Sequence, residues 1–104
     1  MKKLLVFLLF TSSAFAGTQT LTWDVYSGTA DGFNMYRSDD ILPRVWVKVN
    51  AALIPVTDTT YVDTAPPGAY CWQLKAEDQS VESAGSNISC DVIEVEDVTG
   101  LSSQ

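Results

Sequence analysis

The chain has 104 residues, with 13 acidic and 6 basic side chains, no histidine and a net charge of −7. So few and scattered Lys and Arg exclude a surface that neutralises a phosphate backbone, and they disfavour adsorption to anionic membranes. Without histidine no Ser-His-Asp or Cys-His arrangement and no imidazole metal site can be built, and no Gly-rich phosphate loop occurs, so no enzymatic activity, cofactor or metal is expected.

Residues 1–16 begin Met1-Lys2-Lys3, continue through an apolar run from Leu4 to Phe10 and end Ala14-Phe15-Ala16. A basic start, a short apolar stretch and an Ala-x-Ala site predict a secretory leader. The run falls short of the roughly 20 residues that cross a bilayer, so no membrane insertion is expected after cleavage. The expected location is therefore secreted or periplasmic. Cleavage removes Lys2 and Lys3, leaving Arg37, Arg44, Lys48 and Lys75 against all the acids. Two cysteines in an exported chain allow a single pairing, Cys71 with Cys90.

Beyond residue 16 the pattern is short, alternating and β-rich, with no sustained helical period. Residues 18–24 form the first expected strand, carrying Leu21 and Trp23. A polar turn over 27–32 leads to a strand over 33–38, with Phe33 and Met35 on one face and Asn34 and Tyr36 on the other. A third strand over 45–50 follows the turn around Asp39-Asp40 and Pro43. A short one centred on Tyr61 covers 59–63, and Pro66-Pro67-Gly68 turns the chain into a strand over 69–76. The last strand spans 88–95. Residues 17–95 thus make one domain, and 96–104 read as a flexible C-terminal tail.

The order of these strands resembles a fibronectin type III domain, of the single-domain secreted kind found in bacteria or phages. The residues that carry the resemblance are Leu21-x-Trp23, Asp31-Gly32-Phe33-x-Met35-Tyr36-Arg37, Tyr61-x-Asp63-Thr64 and Pro67-Gly68-x-Tyr70. It implies an all-β, immunoglobulin-like sandwich, with Tyr70 in the place of a tyrosine corner, its hydroxyl bonded back to nearby backbone. Period two then sends Tyr70, Trp72, Leu74 and Ala76 toward a core shared with Trp23 and Phe33, leaving Cys71, Gln73 and Lys75 on the outer face. An antibody-like bridge needs an inward cysteine and a partner on the first expected strand, which has none. The expected disulfide therefore closes a hairpin, and its loop of about 20 residues implies on the order of 3 kcal/mol.

The chain departs from the family pattern twice. Only residues 17–20 precede the first expected strand, so the family's own first strand is short or missing, and one edge of the smaller sheet is left open. On the last strand, an outward Cys90 places Ser89 and Asp91 inward, and a bulge near Asp91 is expected to return Ile93 and Val95 to the core.

The resemblance implies a non-catalytic binding or adhesion module that recognises a protein or carbohydrate. The alternative is a structural or decorating subunit of a phage particle or surface assembly that docks by β-strand addition. Three surfaces are candidates. The loops around Tyr26 and over 77–85 are expected at one end of the sandwich, small and polar like a paratope. Tyr36 and Trp46 have outward parity on the larger sheet, where aromatics stack on sugars or anchor proteins. The open edge of residues 18–24 can accept a strand from a partner or from the tail of another copy, which would make the protein self-associate. Asp39-Asp40, Asp24 with Asp31, and Glu94-Glu96-Asp97 are acidic groupings without the spacing of a calcium loop, and are expected to be solvated surface.

Overall fold

The computed structural model describes residues 9–13, 17–26 and 28–94. Eight strands occur among them: β1 (Leu9–Ser13), β2 (Thr18–Trp23), β3 (Gly32–Asp39), β4 (Val47–Lys48), β5 (Thr60–Thr64), β6 (Gly68–Asp78), β7 (Val81–Glu82) and β8 (Ser89–Ile93). One sheet runs β1-β2-β5; the other runs β4-β3-β6-β7, with β8 also paired to β6. All pairings are antiparallel, and the two sheets face each other as a sandwich. Among the described residues no helix is long and apolar enough to cross a membrane.

Alternation builds the interior. Leu21 and Trp23 of β2, Phe33 and Met35 of β3, Trp72, Leu74 and Ala76 of β6, and Ile93 of β8 are all buried, joined by Ile54 and Ala65 from the connections. Trp23 meets Phe33 edge-on at 5.9 Å between ring centroids, an orientation that places a positive ring edge on a negative face. Tyr70 donates to the carbonyl oxygen of Pro66 at 2.7 Å, the geometry of a tyrosine corner.

Four features depart from expectation. The family's first strand was expected to be short or missing; its place beside β2 is taken by β1, from the segment read as a leader, with register from Leu9 opposite Trp23 to Ser13 opposite Gln19. The loop expected over 77–85 is folded. Gln79 and Ser80, with φ of 52° and 66°, make a two-residue turn that pairs β7 with β6. Ser83 and Ser86 then continue the ladder with their hydroxyls: Ser83 Oγ accepts the Ala76 N–H and Ser86 Oγ the Leu74 N–H, while their own N–H groups donate to the carbonyls of the same two residues.

No bulge interrupts β8. Its register against β6 is continuous, from Ser89 opposite Trp72 to Ile93 opposite Gly68. Period two places Ile93 on the same side as Asp91 without any extra residue, so Ile93 is buried and Asp91 sits at the margin between the sheets. There it accepts a long hydrogen bond of 3.4 Å from the amide of the fully buried Gln19. Val95 lies outside the described residues. The expected strand over 45–50 is also shorter as a ladder, being β4 alone, although Val45 and Val49 keep bonds to Ser38 Oγ and Met35 O.

Candidate binding site

Among the described residues, the Asp39 end of β3 carries a cluster of exposed aliphatic side chains. Ser38 starts the arrangement: its hydroxyl donates to the Asp39 carbonyl at 2.9 Å and accepts the Val45 N–H at 3.0 Å, which folds residues 40–44 out as a loop. The Asp40 N–H donates to the Ala69 carbonyl, tying the loop to β6, and Arg44 pairs with Asp40 at 3.3 Å. Ile41, Leu42, Val45 and Val47 are left 69, 75, 72 and 56 % exposed. Arg37, Ser38, Asp39 and Tyr70 join Ile41, Pro43, Val45 and Val47 around a groove of about 470 Å³.

The valines are exposed because β4 overhangs. Val47 is opposite Arg37, on the inward side of the sheet. The smaller sheet, however, ends at β5, whose Tyr61 reaches only to Val49, its hydroxyl donating to that carbonyl at 3.2 Å. Val49 packs on the core, and the cover stops there. Among the described residues no strand pairs with the far side of β4. The Val45 and Val49 amides point to β3, so alternation turns the main-chain groups of Trp46 and Lys48 away from it.

The base of the groove is rigid. Arg37 Nη1 donates to Asp63 Oδ2 at 2.7 Å and to the Thr64 carbonyl at 3.4 Å, while its guanidinium lies 5.2 Å from the centre of the Tyr70 ring. The same Asp63 oxygen accepts the indole N–H of buried Trp72 at 2.9 Å. One carboxylate oxygen thus ties Arg37 of β3 and Trp72 of β6 to β5. The groove therefore presents a fixed shape rather than a mobile charge.

The three aromatics read as a binding surface do not come together. Tyr26 is half-buried and packs edge-on against Phe33 at 5.6 Å, at the opposite end of β3 from the groove, so its ring belongs to the core boundary. The two loops of that end do meet: Asp31 Oδ2 accepts the Gln79 N–H at 2.8 Å. Tyr36 is half-buried on the outer face, its hydroxyl donating to Glu82 Oε2 at 2.5 Å and its ring lying under the Lys75 ammonium at 5.1 Å. Burial first, then the hydrogen bond to Glu82 and the charges of Glu82 and Glu77, push its phenol up to about 12. Trp46 is half-buried in the approach to β4, beside the groove's valines in sequence.

Cys71 and Cys90 stand directly opposite one another and form a disulfide, with S–S 2.05 Å and Cα–Cα 4.0 Å. They lie on the outer face, yet Cys71 is fully buried. Among the described residues the grouping of potential metal donors is Asp40 with these two cysteines, whose sulfurs are consumed by the bond. Of the acidic groupings, Asp40 pairs with Arg44 and Asp31 caps the Gln79 turn, while Glu96 and Asp97 lie outside the described residues.

Sequence reasoning missed the groove. Ile41-Leu42-Pro43 reads as a turn with stray apolar residues, and Val45-x-Val47 as the inward face of a strand. The one available signal was the excess of aliphatic side chains between Asp40 and Lys48 in a chain whose smaller sheet has few strands to cover them.

No protein-family model and no curated protein matches the sequence. The fold has solved counterparts. A fibronectin type III-like protein from Clostridium thermocellum is similar at 25% identity and a TM-score of 0.55, over 81% of this chain and 83% of that one. A protein designated FN3tt is similar at 19% identity and a TM-score of 0.62, over 83% and 88%. Pectate lyase Pel3 from Pectobacterium carotovorum is similar at 16% identity and a TM-score of 0.61, over 81% of this chain and 26% of that one.

Proposed function

We propose that this fibronectin type III-like sandwich is a non-catalytic, exported binding module that receives an extended segment of a protein partner at the β3–β4 groove. The observation that carries the reading is the cluster of Ile41, Leu42, Val45 and Val47, 56–75 % exposed, beside the edge of β4 that no strand among the described residues pairs with. Contiguous exposed aliphatic surface on a small domain marks a contact site. A strand laid along β4 would satisfy the outward main-chain groups of Trp46 and Lys48, and its alternate apolar side chains would fill the groove. Aliphatic side chains favour a protein over a carbohydrate, which needs aromatic platforms backed by polar groups. The disulfide fits an oxidising, extracytoplasmic setting.

Panning a random peptide library displayed on phage against the purified domain tests this. Selected peptides are expected to alternate apolar residues, to lose binding to a Val45→Asp/Val47→Asp variant and to keep it with Tyr36→Phe. Peptides that bind the double variant equally well, a selection that yields none, or glycan-array binding lost on Trp46→Ala would each overturn the reading.

A further inference from the structure

The other edge of the sandwich is closed by β1, whose residues lie in the segment read as a leader. Trp23 N–H donates to the Thr59 carbonyl and Gly17 accepts from the Ala65 N–H, so these odd-numbered residues turn their main-chain groups to β5. Alternation then turns those of Thr18, Thr20 and Thr22 to β1. β1 also lies beside β8, so it closes the sandwich on that flank. If residues 1–16 are a cleaved leader, β1 leaves with them. An edge of β-branched threonines then faces water in front of the buried Gln19, Leu21 and Trp23, two of which already hold an unpartnered polar atom, Gln19 Oε1 and Trp23 Nε1. Long unguarded edges of this kind recruit strands.

We infer that the vacated β2 edge is filled by residues 98–103 of a second copy of the chain, so that the mature protein assembles head to tail by strand addition. The inference rests on the leader reading of residues 1–16. Two observations select this occupant. Thr99-x-Leu101-x-Ser103 carries, at period two, the same three residue types as Leu9-x-Thr11-x-Ser13, with Leu and Thr exchanged, and those β1 residues stand opposite Trp23, Leu21 and Gln19. Residues 98–104 also carry no charge, whereas Glu94, Glu96 and Asp97 just before them are all acidic.

Geometry separates a neighbour's tail from the chain's own. β8 ends with Ile93 opposite Gly68, at the same end as Gly17 and Ala65, where β2 begins. The chain's own tail entering the slot from there runs parallel to β2. A neighbour's tail can enter from the Trp23 end and run antiparallel, as β1 does. Because tail and slot are different surfaces, each copy offers both, and the contact propagates instead of closing on itself.

The test is intact mass and light scattering of the exported, purified protein across a wide concentration range. Expected are a mass beginning at Gly17, a weight-average size that rises with concentration to about twofold the monomer or more, and return to monomer in Leu101→Lys. Intact disulfide and unchanged near-ultraviolet dichroism verify that the variant is folded. A mass that retains residues 1–16 overturns the leader reading. A chain beginning at Gly17 that stays monomeric at every concentration, or assembly that survives Leu101→Lys, overturns the strand addition alone. Assembly abolished by Val45→Asp/Val47→Asp but not by Leu101→Lys would move self-association to the β4 groove and overturn it as well.

Discussion

Two polar clusters cross the interior from one sheet to the other, and they are built differently. On the β5 flank, Asp63 accepts from Arg37 at 2.7 Å and from the Trp72 indole at 2.9 Å, with the guanidinium seated over Tyr70. On the β8 flank, the Gln19 amide nitrogen donates to Asp91 at 3.4 Å, and its amide oxygen, Oε1, has no partner. The first is a short, charge-assisted network joining three strands around one carboxylate; the second is a long contact at a margin. The difference shows where this sandwich is pinned: at the flank beneath the groove, rather than at the flank whose outer strand is β1.

Removing Asp63 is the most direct way to break that contrast. Asp63→Ala leaves a guanidinium and a buried indole N–H without their acceptor, and is expected to cost about 3 kcal/mol in urea unfolding. That is the lower end for a broken buried pair, because the Arg37 side chain keeps 24% of its surface in water. A loss no larger than that of Asp91→Ala would show the two flanks to be equivalent. The disulfide spans β6 and β8 at a sequence separation of 19, and Cys71→Ala/Cys90→Ala is expected to cost on the order of 3 kcal/mol by the same measurement.

A smaller effect appears at high pH. The Tyr36 phenol is pushed up to about 12, against 10.0 when free, and Tyr61 is raised too, by burial first and the Asp63 charge second, with Arg37 opposing. Folded protein therefore holds these protons more tightly than unfolded chain. The stabilisation is complete below pH 10 and is lost as pH rises from about 10 toward 12. Tyr36→Phe should flatten part of that decline and leave the share from Tyr61. An unchanged slope would remove Tyr36 from the account. Least of all, Gln19→Leu should shift stability by about 1 kcal/mol or less, in either direction, because it removes an unpartnered oxygen together with one weak bond. A loss approaching that of Asp63→Ala would show the β8 flank to be pinned as well.

The fold was legible because period two is unambiguous where large and small or polar side chains alternate. Tyr70, Trp72, Leu74 and Ala76 on one side of β6, with Cys71, Gln73 and Lys75 on the other, define a face without reference to any neighbour. The hairpin disulfide follows from that parity and from there being two cysteines. Asp91 was harder: its carboxylate on the inward side suggested a bulge, whereas the sandwich margin accommodates it beside Gln19 with the register intact. The serine-rich stretch after Ser80 read as loop because serine has no strand pattern. Its hydroxyls bond β6 only because the Gln79-Ser80 turn brings them back alongside.

The candidate site shows the same division more sharply. Aromatic residues drew attention to Tyr26, Tyr36 and Trp46, yet Tyr26 lies on Phe33 and Tyr36 is held by Glu82 and Lys75. The groove is made by aliphatic residues that become exposed only because β4 extends past β5.

From residues alone came the strand order, the inward and outward faces of the central strands, the disulfide and the expectation of export, since each depends on neighbours in sequence or on a count of cysteines. The tertiary structure decided which inward faces are covered. That is a relation between two sheets of unequal width, and it leaves Val45 and Val47 bare at one edge while β1 shields Gln19, Leu21 and Trp23 at the other.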